Sequence, residues 1–202
     1  DYFVHGIEDE IVSDDFIQLL KSLHIIDCPT LIVEDGYFKT FGQNMHYSYY
    51  DVAISNPVQL SSIQDLKTLP DTAFTGLYKR RFNSPDMMRR LSHEDSVRMV
   101  NLKKMVDGGV TIVAGTDAGN IGTQHASSFF DELLAMKKSG MSNWQMIQSA
   151  TINPAKILDK EKGMGSIAIG NKADLLILNA NQVERLETLT KISLVINIGV
   201  VI

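Results

Sequence analysis

Cys28 is the one cysteine among 202 residues, so neither an internal disulfide nor a cysteine-only metal cage is available. Its neighbours Ile25, Ile26 and Pro29 suggest a buried thiol rather than a nucleophile. No apolar run approaches the ~20 residues of a membrane span, which gives no membrane partner. There is no run of lysine or arginine, and a net charge of -5 gives no support for nucleic-acid binding. The patterns H-x-H, H-E-x-x-H, G-x-S-x-G and the phosphate-binding loop are all absent, as are internal repeats. The opening Asp1-Tyr2-Phe3-Val4-His5 has no initiator methionine and no signal-peptide regions, so the chain is expected to begin within a longer sequence, of unread compartment. What remains is ordinary globular composition, 44% hydrophobic and 21% charged, enough for one domain with a small appendage.

The organising stretch is Val110-Thr111-Ile112-Val113-Ala114-Gly115-Thr116-Asp117-Ala118-Gly119. Its apolar, β-branched start suits a strand buried on both faces, as in a parallel sheet covered by helices. Gly115 and Gly119 clear side chains from the turn, which lets a ligand or another backbone come close. Asp117 then stands just past the carboxyl end of the strand, where α/β folds place their chemistry. A second reading makes Asp117 the cap of the next helix.

Upstream, Tyr2-Phe3-Val4 reads as the tail of a strand with His5-Gly6 beyond it. Ser13 caps a predicted helix to about Leu23 whose inward face is Phe16, Leu19, Leu20 and Leu23. Residues 25–31 form the next strand and complete a βαβ unit. Residues 33–92 break that rhythm and hold five of the six tyrosines. They read either as an extra helical hairpin with aromatics packed inward or as a substrate-facing wall of tyrosines. Short helices are expected at Gln64–Leu69 and, capped by Ser84, at Pro85–Leu91. A longer helix from Ser92, as its cap, to Asp107 feeds the key strand.

Beyond it, helices are expected at Ser127–Ser139, after the Ser142/Gln145 capping box, and from the Asn153-Pro154 cap to Leu158. After Gly163 the texture turns to strands, at 173–178 and 194–202, which points to a small β subdomain. The expected division is therefore 1–162 and 163–202.

His5 and Asp117 both follow parallel strands, and residues of these types at neighbouring strand ends can ligate a divalent metal. Taken singly, His5 also reads as a structural histidine, and His125 as a cap or a loop donor. His24, His46 and His93 have no partners at ligand spacing.

Several segments in order carry a resemblance: Gly115-Thr116-Asp117-Ala118-Gly119, Glu132-Leu133, Ala150-Thr151-Ile152-Asn153-Pro154-Ala155, Gly165-Ser166-Ile167, Gly170 and Lys172-Ala173-Asp174-Leu175. Together with Val4-His5-Gly6 and Pro29-Thr30-Leu31 they resemble the C-terminal half of the amidohydrolase superfamily, in its imidazolonepropionase and Xaa-Pro dipeptidase-like branch. The resemblance implies an α/β fold, namely strands 6–8 of a metal-dependent-hydrolase (β/α)8 TIM barrel plus part of a β-sandwich. It implies His5 as a metal ligand and Asp117 as both metal ligand and catalytic proton shuttle. His125 falls at a substrate-binding position of the branch. The implied cofactor is a divalent metal, with zinc expected, and the implied chemistry is hydrolysis of C–N bonds in dipeptides, N-acyl compounds or cyclic amides. The family's first-strand H-x-H, fourth-strand lysine and fifth-strand histidine would precede residue 1. The missing N-terminal half of the protein is then the expected partner, besides a small-molecule substrate, and this chain alone is expected to be inactive. The rival readings are a ligand-binding half-barrel without metal and a homo-oligomer that pairs open sheets.

Overall fold

The computed structural model describes residues 1–160 and 162–202. Strand β1 (Tyr2–Val4) leads through helix α1 (Asp14–Ser22) into β2 (Ile26–Cys28), in parallel register with Tyr2 opposite Ile26 and Val4 opposite Cys28. The Ser13 hydroxyl accepts from the Phe16 amide, so the expected cap is present. The inward face of α1 is turned from the expected one. Ile17 and Leu20 are buried and Phe16 is half-buried, whereas Leu19 and Leu23 face solvent. The reason is a close helix contact, because a Cβ on Gly108 would lie 2.4 Å from Ile17 Cγ2. That glycine draws α1 down on its Ile17 side.

The chain then runs through α2 (Ile32–Phe41), α3 (Tyr49–Ile54), α4 (Pro57–Asp65), α5 (Ala73–Phe82) and α6 (Pro85–Asp107). Residues 33–92 are thus largely helical, and the short helix lies at Pro57–Asp65 rather than Gln64–Leu69. The two helices expected on either side of Ser92 are one, because no proline or glycine interrupts Pro85–Asp107. Ser84, with Pro85 in the first turn, is its cap. Most of the aromatics turn inward. Tyr37, Phe41, Tyr78 and Phe82 stack in a satellite cluster with ring centroids 4.9–6.4 Å apart, while Tyr49 stays exposed.

Strand β3 (Thr111–Ile112) pairs parallel to β2, with Asp27 opposite Ile112, giving the sheet order β1-β2-β3. Helices α7 (Ser127–Lys138), α8 (Asn143–Ala150) and α9 (Ile152–Ile157) follow. The Ser142/Gln145 capping box forms as expected. Asn153 does not cap α9. Its side-chain amide donates to the Ile112 carbonyl at 2.8 Å and ties α9 to β3. The main core gathers Leu102 and Met105 of α6, Ile112 of β3, Leu133 and Met136 of α7, and Met146 of α8. Apolar contacts of this kind, at ~25 cal/mol per Å² of buried surface, hold the sheet to its helices.

After Gly163, β4 (Leu175–Leu178), β5 (Ile192–Asn197) and β6 (Val200–Val201) form a separate antiparallel sheet. The expected single strand 194–202 is a hairpin. Ile198 and Gly199 take φ of 52° and 79° as its two-residue turn, which Asp174 braces by accepting from the Ile198 amide at 2.7 Å. Leu186, in the connection between β4 and β5, returns to the main core. No helix among the described residues is long and apolar enough to cross a membrane.

Candidate active site

His5, Asp117 and His125 all lie beyond the carboxyl ends of the parallel strands. The His5 amide donates to the Cys28 carbonyl at 3.0 Å, so the residue continues the β1–β2 ladder before the chain turns away at φ 75°. Its ring is exposed, and Nδ1 lies 2.7 Å from the Thr30 hydroxyl. That bond orients the imidazole and leaves Nε2 for a ligand, in the way that metal-binding histidines are commonly supported through the other ring nitrogen. The loop after His5 is tethered to α6. Asn101, fully buried, accepts from the Val12 amide at 2.9 Å and donates to the Ile7 and Glu10 carbonyls at 3.0 and 2.8 Å. Lys104 adds a bond to the Val12 carbonyl, and Arg98 pairs with Glu8 at 3.1 Å.

Gly115, past the end of β3, lets the chain run close against the last residue of β2, since a Cβ there would sit 2.4 Å from Cys28 Sγ. Burial, with the charges of Asp27 and Glu132, pushes the Cys28 thiol up to about 11, so it stays protonated and is no nucleophile. Asp117 follows in an exposed turn at φ 49°. Its Oδ2 accepts from the Asn120 side-chain amide at 3.1 Å, and its Oδ1 carries no bond to the protein. No helix starts on Asp117, because α7 begins at Ser127 behind Ala126. The capping alternative therefore falls. Gly119 carries the turn past the His125 ring, for a Cβ on Gly119 would lie 3.5 Å from Nε2. Asp117 and His125 thus share one loop, and His5 with Thr30 stands two strands across, beyond Cys28. The loop rests on α2 by a glycine–glycine approach. A Cβ on Gly122 would lie 2.3 Å from the Gly36 carbonyl oxygen, and one on Gly36 2.8 Å from the Ile121 carbonyl oxygen.

As metal donors, His5 Nε2 and Asp117 Oδ1 are each free of protein partners and chemically suitable. Two donors fall short of the three that a catalytic zinc takes from protein. Among the described residues no group of three or more histidine, cysteine, aspartate or glutamate side chains could hold a metal ion. The residues present therefore fit as part of a ligand set, not as a whole one.

Two buried acids were not singled out from the sequence as structural keys. Asp27, at the middle of β2, has no exposed surface and neither carboxylate oxygen has a partner. Burial first, then the neighbouring Glu132, pushes it up to about 8. Glu132 is equally buried and accepts from the Leu31 and Ile32 amides at 2.9 and 3.2 Å. Burial raises it to about 7 against those bonds. The signal for Asp27 was an acid inside the run Ile25-Ile26-Asp27-Cys28. The Glu132 bonds join residues a hundred positions apart and leave no local trace.

Residues 1–201 match the Amidohydrolase family. An imidazolonepropionase of Fusobacterium nucleatum subsp. nucleatum is 24% identical over 173 residues, covering 86% of this chain and 40% of the relative. A shorter match, 36% identical over 81 residues, covers 39% of the chain and 18% of an imidazolonepropionase of Alkaliphilus metalliredigens. Among solved structures, a Xaa-Pro dipeptidase with methionine bound in its active site aligns at a TM-score of 0.63 and 23% identity, over 100% of this chain and 39% of that one. The last likeness shows a shared α/β fold, and the chain spans about two fifths of the length of the first and third of these proteins. With the family match running over nearly every residue, the chain belongs to the amidohydrolase family.

Proposed function

We propose that this chain is the C-terminal part of a metal-dependent amidohydrolase that cleaves C–N bonds in small dipeptide, N-acyl or cyclic amide substrates. The observation that carries it is Asp117, an acid with an unbonded oxygen held past the end of β3, at the same carboxyl end of the parallel sheet as the oriented ring of His5. In this reading β1, β2 and β3 are the sixth to eighth strands of a (β/α)8 barrel, and β4–β6 are part of a β-sandwich. The remaining strands and metal ligands would come from protein outside this chain. The family generally uses divalent metals. A divalent ion, zinc in our reading, would be held by His5 Nε2 and Asp117 together with those further ligands, and would polarise the scissile carbonyl and ease ionisation of water.

This chain's residues have defined tasks around that reaction. Asp117 takes the proton from the attacking water and delivers it to the leaving nitrogen. Thr30 fixes the rotation of His5. His125, beside Gly119, faces the substrate from the Asp117 loop.

The test is hydrolysis of Xaa-Pro dipeptides and N-acyl amino acids by the full-length protein, with metal content measured alongside. Asp117→Asn is expected to lower kcat by ~10²–10⁴-fold. An unchanged kcat, or a full-length protein without metal and without hydrolysis, would sink the assignment.

A further inference from the structure

Thr30 orients His5, yet Thr30 itself stands in a conformation that its own side chain resists. Its φ is 44°, a left-handed backbone that a β-branched residue keeps only where its surroundings impose it. The residue is buried between β2 and α2, and two hydrogen bonds impose the geometry. The Thr30 carbonyl accepts from the Val33 amide at 3.3 Å, and the Leu31 amide donates to Glu132 Oε1 at 2.9 Å. These are the two ends of one planar peptide unit, so the plane that follows Thr30 is pinned on both sides. Rotation about the Thr30 Cα–C bond is fixed with it.

Helix α2 has no cap of its own, because apolar Leu31 stands at its capping position. Glu132 supplies one from a hundred residues away, since its second oxygen accepts from the Ile32 amide at 3.2 Å. The buried Arg98 lies between this acid and the His5 loop. Its charge favours the ionised form of Glu132, and its Cδ would lie 3.0 Å from a Cβ on Gly6, the residue after His5. Glu132 belongs to α7, whose start at Ser127 closes the loop of Asp117 and His125. One helix therefore leads on from the first candidate ligand and reaches the support of the second.

We propose, on the reading of His5 as a metal ligand, that Glu132 is a positioning residue of this site. By pinning the Thr30–Leu31 peptide it aims the Thr30 hydroxyl at His5 Nδ1, which leaves Nε2 as the free donor. Through Glu132, α7 holds the His5 side in step with the Asp117 side. Without the carboxylate, Thr30 relaxes toward negative φ, its hydroxyl swings off Nδ1, and the ring is no longer held in one tautomer.

The full-length protein carries the test, above about pH 7, where Glu132 is charged. In the metal-free protein, NMR of the imidazole nitrogens is expected to show His5 as the single tautomer that donates from Nδ1 to Thr30. Glu132→Gln can accept from only one of the two amides. It is expected to mix the His5 tautomers and to weaken zinc binding ~10-fold in chelator competition, and Thr30→Ala should do the same. Because Glu132 acts through Thr30, the double variant should lose no more zinc affinity than Thr30→Ala alone. Should Glu132→Gln not fold, Glu132→Asp, which keeps the charge but stops one methylene short of the amides, carries the same expectations. An unchanged tautomer and unchanged zinc affinity in a folded variant overturn the proposal, and so do losses that add in full. Absence of zinc binding in the unsubstituted protein would instead sink the metal assignment, and the tautomer readout would still decide the role of Glu132.

Discussion

The loop after β1 and the loop after β3 each carry a candidate site residue, yet α6 holds the first by hydrogen bonds and α2 holds the second by shape. On the His5 side, the Asn101 side chain makes three bonds to backbone groups between Ile7 and Val12. On the Asp117 side, Gly36 and Gly122 let two backbones touch, while Thr40 Oγ1 and Thr123 Oγ1 beside them are buried without partners. Directional bonds weaken one at a time. A steric fit with no spare room has no partial state, so a single added methyl must move the loop or the helix.

The largest effect is therefore expected on the shape-held side. Gly122→Ala adds a clash with the Gly36 carbonyl to the strain of a side chain at φ 81°, and should cost ~2–4 kcal/mol in denaturant unfolding. Hydrogen exchange should rise across residues 118–126 and stay unchanged across 6–12. Asn101→Ala should do the reverse, with a loss of ~2–3 kcal/mol because it strands buried donors and acceptors. Exchange would then rise across residues 6–12. If either substitution loosens both loops, the two supports are one and the contrast fails.

The smallest effect probes the strand both loops lean on. The Val113 amide donates to the Asp27 carbonyl and the His5 amide to the Cys28 carbonyl, so β2 serves both sides. Asp27 keeps its proton in the fold to about pH 8, while the unfolded chain releases it near the ordinary aspartate value of 3.8. The native state thus binds more protons in between, so stability is full below about pH 4, falls as pH rises toward 8, and then levels. Glu132, raised to about 7, works in the same direction. Asp27→Asn should flatten that slope and leave the protein ~1–2 kcal/mol more stable at pH 8, measured by urea unfolding across pH. A slope unchanged in the variant would assign the titration to Glu132 alone.

Much of this was legible where the signal is local. Ser13, Ser84 and the Ser142/Gln145 pair cap the helices they were expected to cap, and Asp117 stood out as an acid closing an apolar strand. Side-chain roles set by distant partners were not. The face of α1 depends on Gly108, nearly a hundred residues on. Asn153 looked like a cap and serves as a tether to β3, since only the fold shows the Ile112 carbonyl within its reach. Ser92 had the residue type of a cap but no helix end to serve. The support of both site loops was invisible for the same reason. Asn101 is one polar residue in a long helix, and Gly36 and Gly122 acquire meaning only when they meet.

The methionines of the main core carry a consequence for chemical ageing. Met105, Met136 and Met146 are at most 1% exposed, whereas Met88 of α6 is 49% exposed. Peroxide can reach Met88 in the native state and the inner three only when helices part from the sheet. At Met136 the Ser149 hydroxyl already donates to the sulfur at 3.7 Å. A sulfoxide on Met105 or Met146, by contrast, would add a bulky polar oxygen to a close-packed apolar core, so reclosure would be opposed. Oxidation of this core is accordingly a ratchet: each opening caught by oxidant favours the next.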